Sequence, residues 1–347
     1  MKIITIIGAR PQFIKHFPFE KACEGRLELK TIHTGQHYDA NMSEIFFDQL
    51  GMKKPDYTLS TGSGNHGEQT ASMMVEIEKI VLLEQPNGIV VYGDTNSTLA
   101  GALVASKLHI PIFHIEAGLR SFNKKMPEEV NRILTDHISD LLFTPSEAAK
   151  LNLTNEGITK GVYVIGDIMK DLIKYVKEKD LIGVRPIQES YYYVTLHRPY
   201  NTDDRERLKY ILENLNDLSS KVIMALHPRT KNLMEKYSID LNQFSNISFI
   251  EPQSYFHNLT YLTFSDGLIT DSGGMQKEAY WLNKNCITIR TETEWIETVT
   301  LGGNVLVFDD LTLIQNAIDK SIENWDSNLY GDGNAATQIV NKIVGYV

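Results

Sequence analysis

Short apolar runs rich in Val and Ile alternate with longer amphipathic stretches along this 347-residue chain, and that alternation leaves few folds open. β-Branched strands spaced by helix-length segments do not pair as hairpins; they form parallel sheets covered by helices. In the first half, strands are expected at Ile3–Ile7, Leu29–His33, Ile89–Tyr92, Pro111–Ile115, Leu141–Thr144 and Val162–Ile165. The second half repeats the pattern at Tyr192–Leu196, Val222–Leu226, Ile247–Ile250, Gly267–Thr270, Cys286–Ile289 and Val305–Phe308. Two such sets predict an α/β chain of two doubly wound domains facing across a cleft, with ligands beyond the carboxyl ends of the strands. The least regular stretch is Gly166–Glu189, with its charged KYVKEKD segment and GVRP turn. The chain is therefore expected to divide into residues 1–168 and 169–335, followed by a last helix over residues 336–347.

Only Cys23 and Cys286 are present, far apart, so neither a disulfide framework nor a cysteine metal site is indicated, and a reducing cytoplasm is expected. The opening MKIITIIGAR is too short an apolar run for a signal peptide, and no segment approaches the length of a membrane span. A formal net charge of −10 argues against a nucleic-acid partner. An anionic ligand must then find a local basic or amide-lined pocket.

One is expected at TDSGGMQKEA, Thr270–Ala279, where a buried strand runs directly into a helix that opens on two glycines. Asp271 or Ser272 would cap that helix. Gly273 and Gly274 would leave backbone N–H groups uncovered at the positive end of the helix dipole, where a diphosphate is favoured. Glu278, one turn on, is placed to accept from ribose hydroxyls. An ordinary glycine-containing helix start is the plainer alternative.

Other polar residues break pattern just where strands end. GARPQFIK places Arg10 and Lys15 at the start of a helix, and GDTNST puts Asp94 at the lip of a strand, as catalyst or as N-cap. HIEAGLRS lets Glu116 leave a strand within an apolar run, where a carboxylate needs a partner or a raised pKa; Arg120 is a candidate partner. In MPEEVNR, Pro127 opens a helix whose dipole Glu128 and Glu129 complement, and Glu128, nearer the loop, is the better catalytic candidate. VTLHRPYN and LHPRT set His197, Arg198, His227 and Arg229 off two more strands, and RTETE adds Arg290. No HExxH, CxxC or DxD cluster appears, so no metal is expected; GxGxxG after the first strand and GxSxG are also missing, which speaks against a nicotinamide cofactor and a serine nucleophile.

Taken in order, GARPQFIK, HTGQHYD, VYGDTNSTLAGA, HIEAGLRS, PEEVNR, LFTPSEAA, VIGD, LHRPYN, HPRT, DSGGMQKEA and RTETE resemble the non-hydrolysing UDP-N-acetylglucosamine 2-epimerases from Met1 to about Val307. The resemblance implies two Rossmann-like domains in a GT-B arrangement, a C-terminal helix crossing back to the first domain, and a homodimer. It implies a UDP-sugar substrate with a 2-acetamido group and no cofactor. The family inverts C2, converting UDP-GlcNAc to UDP-ManNAc, by eliminating UDP to a bound 2-acetamidoglucal and adding it back. By the same resemblance Asp94, Glu116 and Glu128 are the catalytic carboxylates, with Lys15 and His197 at the reacting centre. Arg10, His227, Ser272, Gly273, Gly274, Glu278 and Arg290 correspond to UDP-sugar contacts.

Some positions depart from the common pattern. Tyr200 stands where HRxEN has an acid, Trp295 and Ile296 stand within the TERPE position, and GSGNHGEQT, Gly62–Thr70, differs from the segment lining an allosteric substrate site in some members. Regulation by substrate is therefore not carried over. Several of these segments are closer to a branch acting on UDP-2,3-diacetamido-2,3-dideoxy-glucuronic acid, whose carboxylate would need a further cation such as Lys125, Arg198 or His66. A hydrolysing epimerase releasing UDP, and a GT-B glycosyltransferase, are the remaining alternatives.

Overall fold

The computed structural model describes residues 1–36, 50–62, 64–322 and 325–346; the Arg10 side chain and residues 37–39 of the HTGQHYD segment lie outside the described part. The chain forms two compact units, residues 1–175 with 328–347, and residues 176–327.

The first unit holds a parallel sheet of β1 (Lys2–Ile7), β2 (Glu28–His33), β3 (Tyr57–Thr58), β4 (Gly88–Tyr92), β5 (Ile112–Ile115), β6 (Leu141–Thr144) and β7 (Val162–Val164), in the order β3-β2-β1-β4-β5-β6-β7. Central β4, GIVVY, is buried at every residue, as a strand covered on both faces requires. Helices α1 (Arg10–Cys23), α2 (His66–Glu84), α3 (Asn96–Lys107), α4 (Pro127–Ile138), α5 (Glu147–Asn155) and α6 (Ile168–Glu178) follow in sequence. The six strands expected here are present, Leu141–Thr144 with the expected bounds and each of the others with one end shifted by a residue. The additional β3 is two residues long, too short to show as an apolar run.

The second unit is built the same way from β8 (Tyr191–Leu196), β9 (Lys221–Leu226), β10 (Ile247–Ile250), β11 (Gly267–Thr270), β12 (Asn285–Thr288) and β13 (Asn304–Leu306), all parallel, in the order β10-β9-β8-β11-β12-β13. Its helices are α7 (Pro199–Thr202), α8 (Arg205–Asn216), α9 (Pro228–Lys236), α10 (Tyr255–Phe264), α11 (Gly273–Trp281), α12 (Ile296–Thr300) and α13 (Ile314–Ile318). On α8 the buried residues are Leu208, Ile211, Leu212 and Leu215, one apolar stripe facing the sheet.

The chain leaves the first unit inside α6, after Tyr175. Leu172, Ile173 and Val176 are buried on this helix, an apolar stripe that its lysines hide in a linear reading. From Asn328 the chain is back in the first unit, and helix α14 (Ala335–Tyr346) packs on α1. Arg26 donates to Asn341 at 2.6 Å, and the Tyr346 ring meets Phe113 edge-on at 5.7 Å. The Asp171 carboxylate, from α6, accepts from the backbone N–H groups of Ala335 and Ala336 and so caps α14. Burial pushes its pKa up to about 6, with those two amides opposing. Among the described residues no helix is long and apolar enough to cross a membrane.

Candidate active site

In each sheet the strand order reverses once, between β1 and β4 in the first unit and between β8 and β11 in the second. Loops leaving the two strands on either side of that reversal diverge to opposite faces, and the opening at their carboxyl ends is where such folds bind ligands.

In the first unit that opening is lined with charge. Lys15, on the second turn of α1, pairs with Glu116, the residue just after β5; their side chains are 8% and 10% exposed. Glu116 has a left-handed backbone, φ 70°, unusual for a residue with a side chain. That conformation turns the carboxylate back over Gly93 of the β4–α3 turn: a Cβ on Gly93 would lie 3.1 Å from Glu116 Oε2 and 3.3 Å from Lys15 Nζ. Beside it, Asp94 accepts from Arg132 Nη2 at 2.6 Å. Burial raises the Asp94 pKa, Arg132 and Lys15 pull it down, and Glu116 and Glu128 push it up again. Lys15, Asp94, Glu116, Glu128 and Arg132 thus form one electrostatic group at the switch point.

The helix carrying Asp94's turn is capped by Thr95, whose side chain accepts from Thr98 N; Asp94 is not the N-cap. Arg120 is not the partner of Glu116. It donates to Asp136 on α4 at 2.7 Å and holds Glu156, at the end of α5, with two bonds of 2.7 Å. Asp136 also bonds His114, and His114 in turn bonds the Gly93 carbonyl at 2.8 Å. Burial alone would raise the Asp136 pKa, but His114 and Arg120 outweigh it and hold it low.

Three more polar residues fix the turns. Gln12, 1% exposed, accepts from Gly8 N and Ala9 N and donates to the Tyr92 carbonyl, which ties the β1–α1 turn to the β4–α3 turn. Glu129 accepts from Ser121 N, Phe122 N and Arg132, and Asn131 donates to the Asp94 carbonyl. Of the two acids that open α4, Glu129 is therefore spent on the β5–α4 loop, whereas Glu128 is partly exposed in the first turn.

In the second unit the corresponding opening is a helix mouth. Ser272 occupies the N-cap position of α11 but makes no side-chain cap bond, and Ser272, Gly273 and Gly274 are partly exposed. Asp271 does not cap α11: fully buried, it accepts from His197 N, Arg198 N and Asn201 Nδ2, organising the loop after β8. It also lies 3.2 Å from His197 Nδ1. Burial lowers the His197 pKa; Asp271 opposes this, while Arg198, His227 and Arg290 add to it. The His227 ring lies 5.2 Å from that of His197 and caps α9 by accepting from Arg229 N. Arg290 forms a two-bond pair with Glu294 at 3.2 Å, and its Nη1 would lie 3.8 Å from a Cβ on Gly273. Glu278 is buried on α11.

A sequence model described as UDP-N-acetylglucosamine 2-epimerase matches residues 21–344. The chain belongs to the UDP-N-acetylglucosamine 2-epimerase family. It is similar to a Pseudomonas aeruginosa protein named UDP-2,3-diacetamido-2,3-dideoxy-D-glucuronate 2-epimerase, at 48% identity over 99% of each chain. A Methanococcus maripaludis protein named UDP-N-acetylglucosamine 2-epimerase homolog is 46% identical over 99% of each chain. Among solved structures, the Methanocaldococcus jannaschii UDP-GlcNAc 2-epimerase in complex with UDP-GlcNAc and UDP matches with a TM-score of 0.89, 42% identity and full coverage of both chains.

For this epimerase-family chain, the structure groups Lys15, Asp94, Glu116 and Glu128 in one unit, and His197, His227, Ser272, Gly273, Gly274, Glu278 and Arg290 in the other. A strand-by-strand reading leaves Glu129 as a dipole complement and passes over the other supports: Gln12, His114, Asn131, Arg132 and Asp136. The one available signal was the Glu129–Arg132 spacing of three residues on α4, which places both on one face of the helix.

Proposed function

We propose that this protein inverts C2 of a UDP-2-acetamido sugar, converting UDP-GlcNAc to UDP-ManNAc without hydrolysis. The observation that carries the proposal is the carboxylate group at the first unit's switch point: Asp94 paired with Arg132, Glu116 paired with Lys15, and Glu128 near enough to push the Asp94 pKa up. C2 of an N-acetylhexosamine carries no acidic proton, so inversion is easiest by elimination. A base removes the C2 proton, the C1–O bond breaks with its electron pair leaving on UDP, and a 2-acetamidoglucal forms. UDP oxygen then adds back to C1 as an acid delivers a proton to the other face of C2. Such a route needs two proton-transfer groups and a clamp for the departing diphosphate.

The first unit supplies the proton-transfer groups. Burial, which raises the Asp94 pKa, makes that carboxyl a better proton carrier near neutrality. Lys15 sets its side-chain nitrogen against the Glu116 carboxylate. In the second unit, the first-turn amides of α11, with Ser272, Gly273, Gly274 and Arg290, hold the diphosphate, and Glu278 takes the ribose. His197, whose pKa burial lowers, presents its imidazole to the reacting sugar, and His227 and Arg10 complete the contacts.

A second substrate is supported by one feature. Arg198 Nε is buried with no hydrogen-bond acceptor among the described residues, a cation suited to a sugar carboxylate such as that of UDP-2,3-diacetamido-2,3-dideoxy-glucuronic acid. The deciding experiment feeds each nucleotide sugar to the purified protein in D2O and follows the C2 proton by NMR. Deuterium at C2 of the recovered UDP-sugar, without free UDP in step with product, is expected for the true substrate. No exchange with either sugar refutes the proposal, and stoichiometric UDP release points to a hydrolysing enzyme.

The protein acts as a homodimer in this reading. Val75, Leu82 and Leu83 on α2 and Val130 and Leu134 on α4 are exposed apolar residues, and both helices pack on α3. Sedimentation of the wild type against Leu83→Glu with Val130→Glu tests it: an unchanged dimer, or a wild-type monomer, rejects this face.

A further inference from the structure

Lys277 is a cation with 0% exposure, an unusual state for an ammonium group, and it sits on α11 one turn beyond the glycines. Its Nζ lies 3.6 Å from the centroid of the Trp295 ring and 5.8 Å from that of Trp281. At 3.6 Å over a desolvated indole face, the attraction fixes the plane of the ring. Trp295 is itself 5% exposed, and one edge of it meets the helix mouth. A Cβ on Gly273 would lie 3.9 Å from the indole Nε1 and 3.8 Å from Arg290 Nη1, so the two donors flank the same residue.

The backbone of Trp295 is held as firmly as its ring. Thr293 Oγ1 accepts from Trp295 N at 3.2 Å and donates to Gln276 Oε1 at 2.7 Å, and Gln276 Nε2 donates to the Ser272 carbonyl at 3.2 Å. Thr298 donates to the Trp295 carbonyl at 2.7 Å, and Asn304 links Thr298 to Gln276. The loop after β12 is thus bolted to the first turn of α11 through half-buried Thr293 and the buried side chains of Gln276, Thr298 and Asn304. Packing alone would not require the polar edge of the indole to face a partly exposed helix N-terminus.

We propose that Trp295 is a diphosphate-binding residue, donating its indole N–H to the anion at the mouth of α11 beside Arg290, with Lys277 as the positioning residue beneath its ring. The inference rests on reading that helix mouth as the diphosphate site. An indole N–H is a donor only, so it accepts no proton and repels no anion, and its rigid ring loses little freedom on binding. Its contribution should follow the phosphate groups of the ligand and ignore the nucleoside.

Calorimetric titration of UDP and of uridine into the wild type, Trp295→Phe and Lys277→Met is the test. Trp295→Phe keeps an aromatic face over Lys277 and removes the N–H. The UDP dissociation constant is expected to rise about ten-fold, the uridine constant to stay within about two-fold, and Lys277→Met to weaken UDP about three-fold. Equal loss for both ligands, or no loss for UDP, overturns the inference. Absence of UDP binding by the wild type would sink the reading of the helix mouth and this inference with it. A readout that needs no altered site uses 15N-tryptophan in the wild type. Its three indole signals are assigned by Trp281→Phe and Trp325→Phe. UDP should move the Trp295 indole proton downfield and uridine should leave it; a Trp295 signal indifferent to UDP contradicts the proposal.

Discussion

The two units share one topology and put it to opposite uses. Each sheet reverses its order at the equivalent place, β1 against β4 and β8 against β11, and each carries its polar residues on the loops beyond that reversal. In the first unit the opening is filled with ion pairs, Lys15 with Glu116 and Arg132 with Asp94, and the helix that follows Asp94 is capped by Thr95. In the second, the helix that follows the strand has no side-chain cap, and Asp271 is turned away to serve the His197 loop. A capped helix beside paired charges suits proton transfer, whereas an uncapped helix suits an anion. Topology fixes where a site can be, and a few residues at the strand ends fix what it does.

The sharpest way to break the comparison is to remove acids from the first unit only. Asp94→Asn and Glu116→Gln should each slow C2 exchange about a thousand-fold while UDP affinity stays within about two-fold. A parallel fall in affinity would end the division of labour. The converse change is Gly273→Ala. Its Cβ meets only ordinary contacts, 3.8 Å and 3.9 Å away, so the protein should melt as the wild type does. Because the methyl stands where the anion sits, UDP affinity should fall about ten-fold with turnover at saturation little changed.

Gly93→Ala sharpens the contrast, because there the added carbon is crowded. With φ 61° and only 3.1 Å to Glu116 Oε2, it strains the backbone and presses on the Lys15–Glu116 pair. A loss of about 1 kcal/mol in thermal or urea unfolding is expected, with turnover falling while UDP binding holds. The smallest effect is one of pH. Arg132 pulls the Asp94 pKa down against burial, so Arg132→Met should raise that pKa further and move the acid limb of the rate profile to higher pH. An unmoved or acid-shifted limb would mean that Asp94 does not control that limb.

Much of the fold could be read directly because parallel strands buried on both faces are written as unbroken apolar runs. Elements without such a run were not legible: β3 is two residues long, and α6 hides its apolar stripe among lysines. Polar residues following those runs marked the switch points for the same reason. Their partners were not legible. Lys15 and Glu116 are 101 residues apart and meet only because β1, β4 and β5 lie side by side. Arg120, four residues from Glu116, points instead to Asp136 and Glu156. Gln12 and Asn131 look like ordinary helix residues until the turns they join are seen together.

The central claim is that the C1–O bond breaks and reforms while both fragments stay bound. Positional isotope exchange tests it most directly, using UDP-sugar with 18O in the bridge between C1 and the β-phosphorus. Elimination and re-addition should scramble the label into the non-bridging β-phosphate oxygens of recovered substrate, at a rate comparable to deuterium entry at C2. Deuterium entry with the label still wholly in the bridge would contradict it, since the proton would then be exchanging on an intact nucleotide sugar.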